Sequence, residues 1–282
     1  MRIAFLGPRG TYSEEAALRH ASQASQLVPC GSIAAVIGAV EGGAADQAVV
    51  PIENSLEGAV THTTDLLIHS THLLIRREIV LPIHHCLLVQ PGFALPLVRV
   101  VYSHPQALAQ CRGYIAEHLP EAEPLASLST AGAVKDMGSS TRPAAAITSR
   151  RAAEIFGAKI FARNIEDAAN NKTRFVVLAP DDAEPTGRDK TSICFDFTED
   201  AAGILHGTLG ELAGRGINML KIESRPDRRS LGRYIFLVDI EGHREDAVVT
   251  EALRGVQKRA ALFRVLGSYP RPGDQDGSQD SS

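Results

Sequence analysis

The chain has 282 residues, 44% apolar and 22% charged, with a formal charge of -4. That length accommodates two domains with sizeable cores at roughly 100–200 residues each, and the composition excludes a disordered or fibrous chain. The slight acidity and the lack of a Lys/Arg run exclude a nucleic-acid arm, whereas a small anionic ligand needs only one or two local cations.

Residues 3–6 read as a first strand, followed by a Gly7-Pro8-Arg9-Gly10 turn and a helix from about Ser13, where Thr11 and Glu14 fit a capping box. Ser32 opens a second helix that Gly42-Gly43 stops. Residues 48–52 form a buried strand, and a helix follows Asn54-Ser55. A strand over 98–102 leads into Ser103-His104-Pro105, which starts a helix with proline near its first position. Strands over 144–148 and 175–178 close the series. Strand, polar turn and helix thus recur, the pattern of an α/β fold. Ligands of open α/β sheets sit outside the C-terminal strand ends, and the turns here, rich in Ser, Thr, Asn and Gly, can offer backbone N–H groups to an anion.

Composition changes over 180–189, a polar stretch with Pro and Gly that reads as a linker. A compact order follows: strand 192–197, helix 203–213, strands 218–223 and 234–240, helix 244–256, strand 262–266. This is βαββαβ, a ferredoxin-like domain, with Gly214 and Gly216 closing its first helix. From Arg271 onward the chain is polar and acidic and is expected to be disordered. Cys30, Cys86, Cys111 and Cys194 are scattered singly, without zinc-ligand spacing, and read as reduced core thiols; no metal site is expected. The start of the chain lacks the h-region of an export signal, and no stretch approaches the ~18 apolar residues of a membrane span, so a cytoplasmic protein is expected.

Four segments, in order, resemble the prephenate dehydratase family: the run from Gly7 through Thr11, Tyr12, Ser13 and Glu14 to Ala16; Val50-Pro51-Ile52-Glu53-Asn54-Ser55-Leu56-Glu57-Gly58; the run from Ser103, His104, Pro105 and Gln106 to Gln110; and Asn171-Lys172-Thr173-Arg174-Phe175. Gly216-Ile217-Asn218 and Ile222-Glu223-Ser224-Arg225-Pro226 are similar to the family's regulatory ACT domain. The resemblance covers about residues 1–268. It implies a two-lobed catalytic region like a type II periplasmic binding protein over 1–180, its lobes being roughly 1–78 with 162–180, and 79–161. A linker (181–189), an ACT domain (190–268) and a disordered tail (269–282) would follow. The implied reaction is loss of water and carbon dioxide from prephenate, giving phenylpyruvate. No cofactor is implied; the implied assembly is a homodimer or homotetramer binding phenylalanine as effector.

The resemblance gives Thr173 the role directed at the departing ring hydroxyl. A threonine is a poor proton donor in bulk water, so a pre-oriented hydrogen bond, within a relay, is the expected form of its help. Arg174 is the natural partner for a carboxylate through its two-pronged donor face. A cation on the ring carboxylate would stabilise a charge that vanishes as carbon dioxide forms, so Arg174 is expected on the side-chain carboxylate. Phe175, Thr11, Ser13, Asn54, Ser55, Ser103, His104, Gln106, Ser129 and Thr130 are the further substrate-binding candidates. Taken singly, the polar ones among them are also the preferred helix caps. His104 is either a ligand contact or part of a cap. Glu53, Glu57, His62 and His104 are rival acids, and His84 and His85 read as solvated or core residues.

For the effector, Gly203, Leu205, Asn218, Glu223, Ser224, Arg225 and Pro226 are implied, although Ile204 and His206 depart from the family's usual Gly-Ala-Leu followed by an apolar residue. Two other functions fit the same sequence: an arogenate dehydratase, and a non-catalytic binding or sensor protein on the same scaffold.

Overall fold

The computed structural model describes residues 1–199, 201–227 and 233–272. In chain order the elements are β1 (Arg2–Leu6), α1 (Tyr12–His20), β2 (Gln26–Cys30), α2 (Ile33–Glu41), β3 (Gln47–Asn54), β4 (Gly58–Ala59), α3 (Thr61–His69), β5 (Leu74–Pro82) and β6 (Cys86–Val89). They continue with β7 (Val100–Ser103), α4 (Pro105–Gln110), α5 (Arg112–His118), β8 (Glu123–Ala126), α6 (Thr130–Ser139), β9 (Ala144–Thr148), α7 (Arg150–Ile155), β10 (Ile160–Arg163) and β11 (Lys172–Ala179). The last are β12 (Asp189–Phe195), α8 (Ile204–Ala213), β13 (Met219–Pro226), β14 (Tyr234–Glu241), α9 (Ala247–Arg259) and β15 (Phe263–Pro270). Of the tail expected from 269, residues 269 and 270 belong to β15, and 273–282 lie outside the described residues.

Two compact units divide the chain. One comprises Met1–Val60 with Ile79–Phe175; the other comprises Thr61–Glu78 with the chain from Val176 on. In the first, β1 pairs in parallel with β2 and β3, within a sheet ordered β2-β1-β3-β11-β5. Ile3, Ala4, Phe5, Val36, Val49 and Val50 have no exposed surface there. A second sheet, ordered β10-β6-β9-β7-β8, is covered by α6 and α7 in one apolar cluster and by α4 and α5 in another.

Side-chain caps set the helix starts. Thr11 accepts from the Glu14 N–H, Ser32 from Ala35, Ser129 from Gly132 and Ser149 from Ala152. The expected capping box is only half made, because the Glu14 carboxylate accepts from the Gly10 N–H, one residue before the cap, at 2.7 Å. The helix expected after Asn54-Ser55 starts only at Thr61. Asn54 Oδ1 accepts the N–H groups of Leu56 and Glu57 at 3.0 and 3.1 Å, and such a side-chain turn competes with helix initiation. Glu53 therefore lies on a strand and Glu57 in a turn, and they share no helix face.

The second unit carries the expected βαββαβ order, in an antiparallel sheet β13-β14-β12-β15. Ile193, Phe195, Val238 and Ile240 pack there with α8 and α9. The stretch read as a linker is tied to this unit. Asp182 pairs with Arg244 at 2.8 Å and accepts from the Ser268 N–H, and Thr186 donates to Asp189. Segment 61–78, expected within the first lobe, groups here because strand-borne cations hold it. Arg225 pairs with Asp65 at 2.9 Å, Arg264 donates to the carbonyls of Ile68 and Thr71, and Lys190 pairs with Glu78. Cys86, Cys111 and Cys194 are buried and Cys30 is half-buried.

Candidate active site

β3 and β11 are neighbours in the first sheet, and their chains meet where β3 ends and β11 begins. Ser55 donates its N–H to the Lys172 carbonyl at 2.8 Å, and the Lys172 N–H returns to Ser55 Oγ at 2.9 Å. Asn54, 6% exposed, lies beneath this clasp. With its Oδ1 held by two backbone donors, the amide must turn its NH₂ toward β11. There it donates to Thr173 Oγ1 at 2.9 Å, to Asn171 Oδ1 at 2.8 Å and to the Lys172 carbonyl at 3.2 Å. One residue further along each strand, Arg174 pairs with Glu53 at 3.1 Å.

The loop between β1 and α1 brings a second set of donors together. Gly10 has φ +89°, and a Cβ there would stand 3.2 Å from Ala131 Cβ in α6 and 3.0 Å from Ala152 Cα in α7. Ser149, the α7 cap, donates to the Gly10 carbonyl at 2.6 Å, and Arg151 reaches Glu14 at 3.7 Å. The N-termini of α1 and α6, with Thr11, Ser13, Ser129 and Thr130, thus gather around one glycine, with their N–H dipoles available to an anion.

The sequence-derived candidates divide accordingly. Thr173, Asn54, Ser55 and Arg174 come together; Thr11, Ser13, Ser129 and Thr130 form the loop cluster. Two expectations change. Ser103 is fully buried and donates to the Ile147 carbonyl at 2.6 Å, and Phe175 is 2% exposed; neither side chain offers surface to a ligand. His104 caps α4, accepting from Gln106 N–H through Nδ1, and burial lowers its pKa below the ordinary histidine value. His62 is exposed on α3.

Three residues without an assigned role join the Thr173 cluster. Asn171, 1% exposed, donates to Gln110 Oε1 at 3.0 Å, and that oxygen also contacts His85 Nε2 at 2.9 Å. Asn171 and Gln110 lie inside the segments that carry the family resemblance, where a polar residue beside a strand was the available signal. For His85, the sequence left solvated and core positions open, and the structure leaves it 2% exposed.

In the second unit, a cavity of about 520 Å³ is lined by Phe197, Glu199, Gly203, Leu205, Tyr234 and Phe236, among others. Ser224 and Pro226 stand opposite Phe236 and Tyr234 in register, hence on the same sheet face, whereas Glu223 and Arg225 point to the other. The Asn218 carbonyl accepts from the Glu241 N–H at 3.0 Å, and Asn218 does not line the cavity. The expected effector residues are therefore split between two faces. Two further cavities lie on α8 with α9, and against α4, α5 and β8. None of the three is lined by Thr173, Asn54 or Arg174.

Fold and site define a chain with an α/β region that carries the polar cluster, followed by a βαββαβ domain. A family model for prephenate dehydratase matches residues 3–183, and one for the ACT domain matches 192–257. Prephenate dehydratase of Mycolicibacterium vanbaalenii is 40% identical, over 95% of this chain and 90% of its own. Among solved structures, prephenate dehydratase from Arthrobacter aurescens in complex with L-Phe is 37% identical with a TM-score of 0.88, covering 96% of this chain and 90% of that one. GqqA, described as a novel type of quorum quenching acylase, is 36% identical with a TM-score of 0.84, covering 96% and 98%. The chain belongs to the prephenate dehydratase family.

Proposed function

We propose that this chain is a cytoplasmic carbon–oxygen lyase that converts prephenate to phenylpyruvate, carbon dioxide and water, and that phenylalanine regulates it. The electron pair of the bond to the ring carboxylate enters the ring as carbon dioxide departs. The C–O bond across the ring breaks, and the oxygen leaves as water once protonated. Aromatisation drives the step; the protein has to orient the ring and stabilise the leaving oxygen.

One observation carries this reading. Thr173 Oγ1 accepts from an Asn54 amide whose orientation is fixed by the Leu56 and Glu57 N–H groups. Its own proton is therefore left for another acceptor, and a departing hydroxyl fills that place. Arg174, already paired with Glu53, takes the side-chain carboxylate on its remaining donors, and the helix N-termini around Gly10 favour the second anionic group. On this reading the catalytic region is about 1–180, the linker 181–189 and the regulatory domain about 190–268. Phenylalanine binds at the cavity beside Gly203, Leu205, Ser224 and Pro226. A homodimer or larger homo-oligomer is supported by β13, a sheet edge with Met219, Leu220 and Ile222 exposed.

Purified protein should form phenylpyruvate from prephenate. Thr173→Val should abolish turnover, Thr173→Ser should retain much of it, and phenylalanine should reduce it. Equal turnover by Thr173→Val removes the assignment. Arogenate, which shares the ring chemistry, belongs in the same assay. A second reading rests on the likeness to GqqA: hydrolysis of an acyl amide, checked by amine release from an N-acyl substrate and by its loss in the same variants.

A further inference from the structure

We infer that Asn171 and His85 are positioning residues for Thr173, acting through a hydrogen-bond chain whose direction is set at one end by backbone donors. The inference rests on the dehydratase reading of Thr173 and adds residues that never touch the substrate.

The direction can be followed bond by bond. Two backbone N–H groups fix Asn54 Oδ1 as an acceptor, so Nδ2 faces Asn171 and requires an oxygen there. Asn171 therefore turns its NH₂ toward Gln110, which must present Oε1. An amide oxygen cannot donate, so His85 Nε2, 2.9 Å away, must carry a hydrogen. His85 is thereby fixed as the Nε2–H tautomer. Its Nδ1 and the Gln110 Nε2 are buried without a hydrogen-bond partner among the described residues. Buried unsatisfied polar atoms are costly, and here both lie at the end of the chain remote from Thr173. The cost falls on fixing the sense of the chain.

His85 is itself held. Its N–H donates to Glu166 Oε2 at 2.8 Å, the other Glu166 oxygen binds His84 Nδ1 at 2.7 Å, and the Tyr12 ring meets the His85 ring edge-on at 6.1 Å. Tyr12 follows Thr11, the α1 cap, so this end of the chain is anchored beside the loop cluster.

Without the His85 donor, Gln110 is free to flip. With its Nε2 toward Asn171, whose own NH₂ faces it because the Asn171 oxygen stays committed to Asn54, Gln110 would oppose donor to donor, push Asn171 out of place and loosen the Asn54 amide that holds Thr173. The expected signature is a fall in kcat with little change in KM, because the substrate's own contacts remain. His85→Leu and Asn171→Asp should lower kcat by roughly ten- to a hundredfold, with KM held within about twofold. His85→Gln, whose Nε2–H can replace the ring donor, should restore kcat to within about threefold of the parent.

Nitrogen-15 spectra of histidine-labelled protein supply a readout independent of turnover: His85 should be neutral and protonated on Nε2. An Nδ1–H tautomer, or full kcat in folded His85→Leu, would overturn the inference. So would equal losses in His85→Gln and His85→Leu. If His85→Leu does not fold, Asn171→Asp and the tautomer decide. A parent protein that is inactive on prephenate but carries the expected tautomer would instead sink the dehydratase reading and leave the chain's direction intact.

Discussion

Arg174 already has an anion at 3.1 Å, the Glu53 carboxylate, so on the proposed assignment an incoming substrate carboxylate would meet a guanidinium whose charge is partly balanced. A planar fork offers a second edge, which a compact ammonium does not. Arg174→Lys should therefore raise KM by about tenfold while kcat stays within about threefold. A collapse of kcat at constant KM would mean that the cation acts on the reacting bonds. Gly10 combines φ +89° with a 3.0 Å approach to the α7 backbone, so Gly10→Ala is both strained and overpacked. A loss of roughly 1–3 kcal/mol is expected, seen as a lowered denaturation midpoint. His85 and His104 share another property: burial holds both pKa values below the ordinary histidine range. The unfolded chain then takes up protons first as the pH falls through about 6.5, so stability rises with pH between the folded and unfolded values. The melting temperature should drop between pH 7 and pH 5, and His85→Gln should flatten that slope.

At the scale of elements, α3 shows how a short helix is recruited to a unit distant in sequence. Arg225 on β13 holds Asp65 at its middle, and Arg264 on β15 takes the carbonyls of Ile68, in its last turn, and of Thr71, just past its end, at 2.7 and 2.6 Å. Those carbonyls belong to the groups that every helix end leaves without an internal partner. Arg264→Ala should cost about 1–3 kcal/mol, read as a lower melting temperature. Arg225→Ala should likewise act first on stability and only weakly on phenylalanine affinity, because its guanidinium faces α3 rather than the cavity. A large loss of affinity at unchanged stability would place Arg225 in the effector site after all. The same elements mark what the sequence could tell. Periodicity and cap residues foretold α1, α2 and the βαββαβ order, since these depend on neighbours within a few positions. The docking of α3 depends on arginines more than 150 residues away, and no local pattern encodes it. Thr173 and Asn54 were legible only through motif resemblance, being 119 residues apart. The roles of Asn171 and Gln110 depend on which way an amide faces, which only the assembled hydrogen bonds decide.

At the scale of the molecule, the unfinished surface is the β13 edge. Among the described residues the sheet order β13-β14-β12-β15 leaves β13 with one neighbour, and Met219, Leu220 and Ile222 are 37%, 36% and 42% exposed on it. An apolar sheet edge left in water is an aggregation hazard that native proteins cover or charge. Pairing with the same strand of a second copy would cover it. Ile222 and Ser224 share a sheet face, and Ser224 stands across from Phe236, which lines the cavity assigned to phenylalanine. Assembly and effector binding would therefore draw on neighbouring side chains of one strand, and by linkage phenylalanine should favour whichever assembly binds it better. Sedimentation of the parent protein should show at least a dimer. Ile222→Lys should shift it toward monomer and reduce inhibition by phenylalanine, while turnover without effector persists. A monomeric parent, or a monomeric Ile222→Lys that responds to phenylalanine as fully as the parent, would separate the β13 edge from regulation.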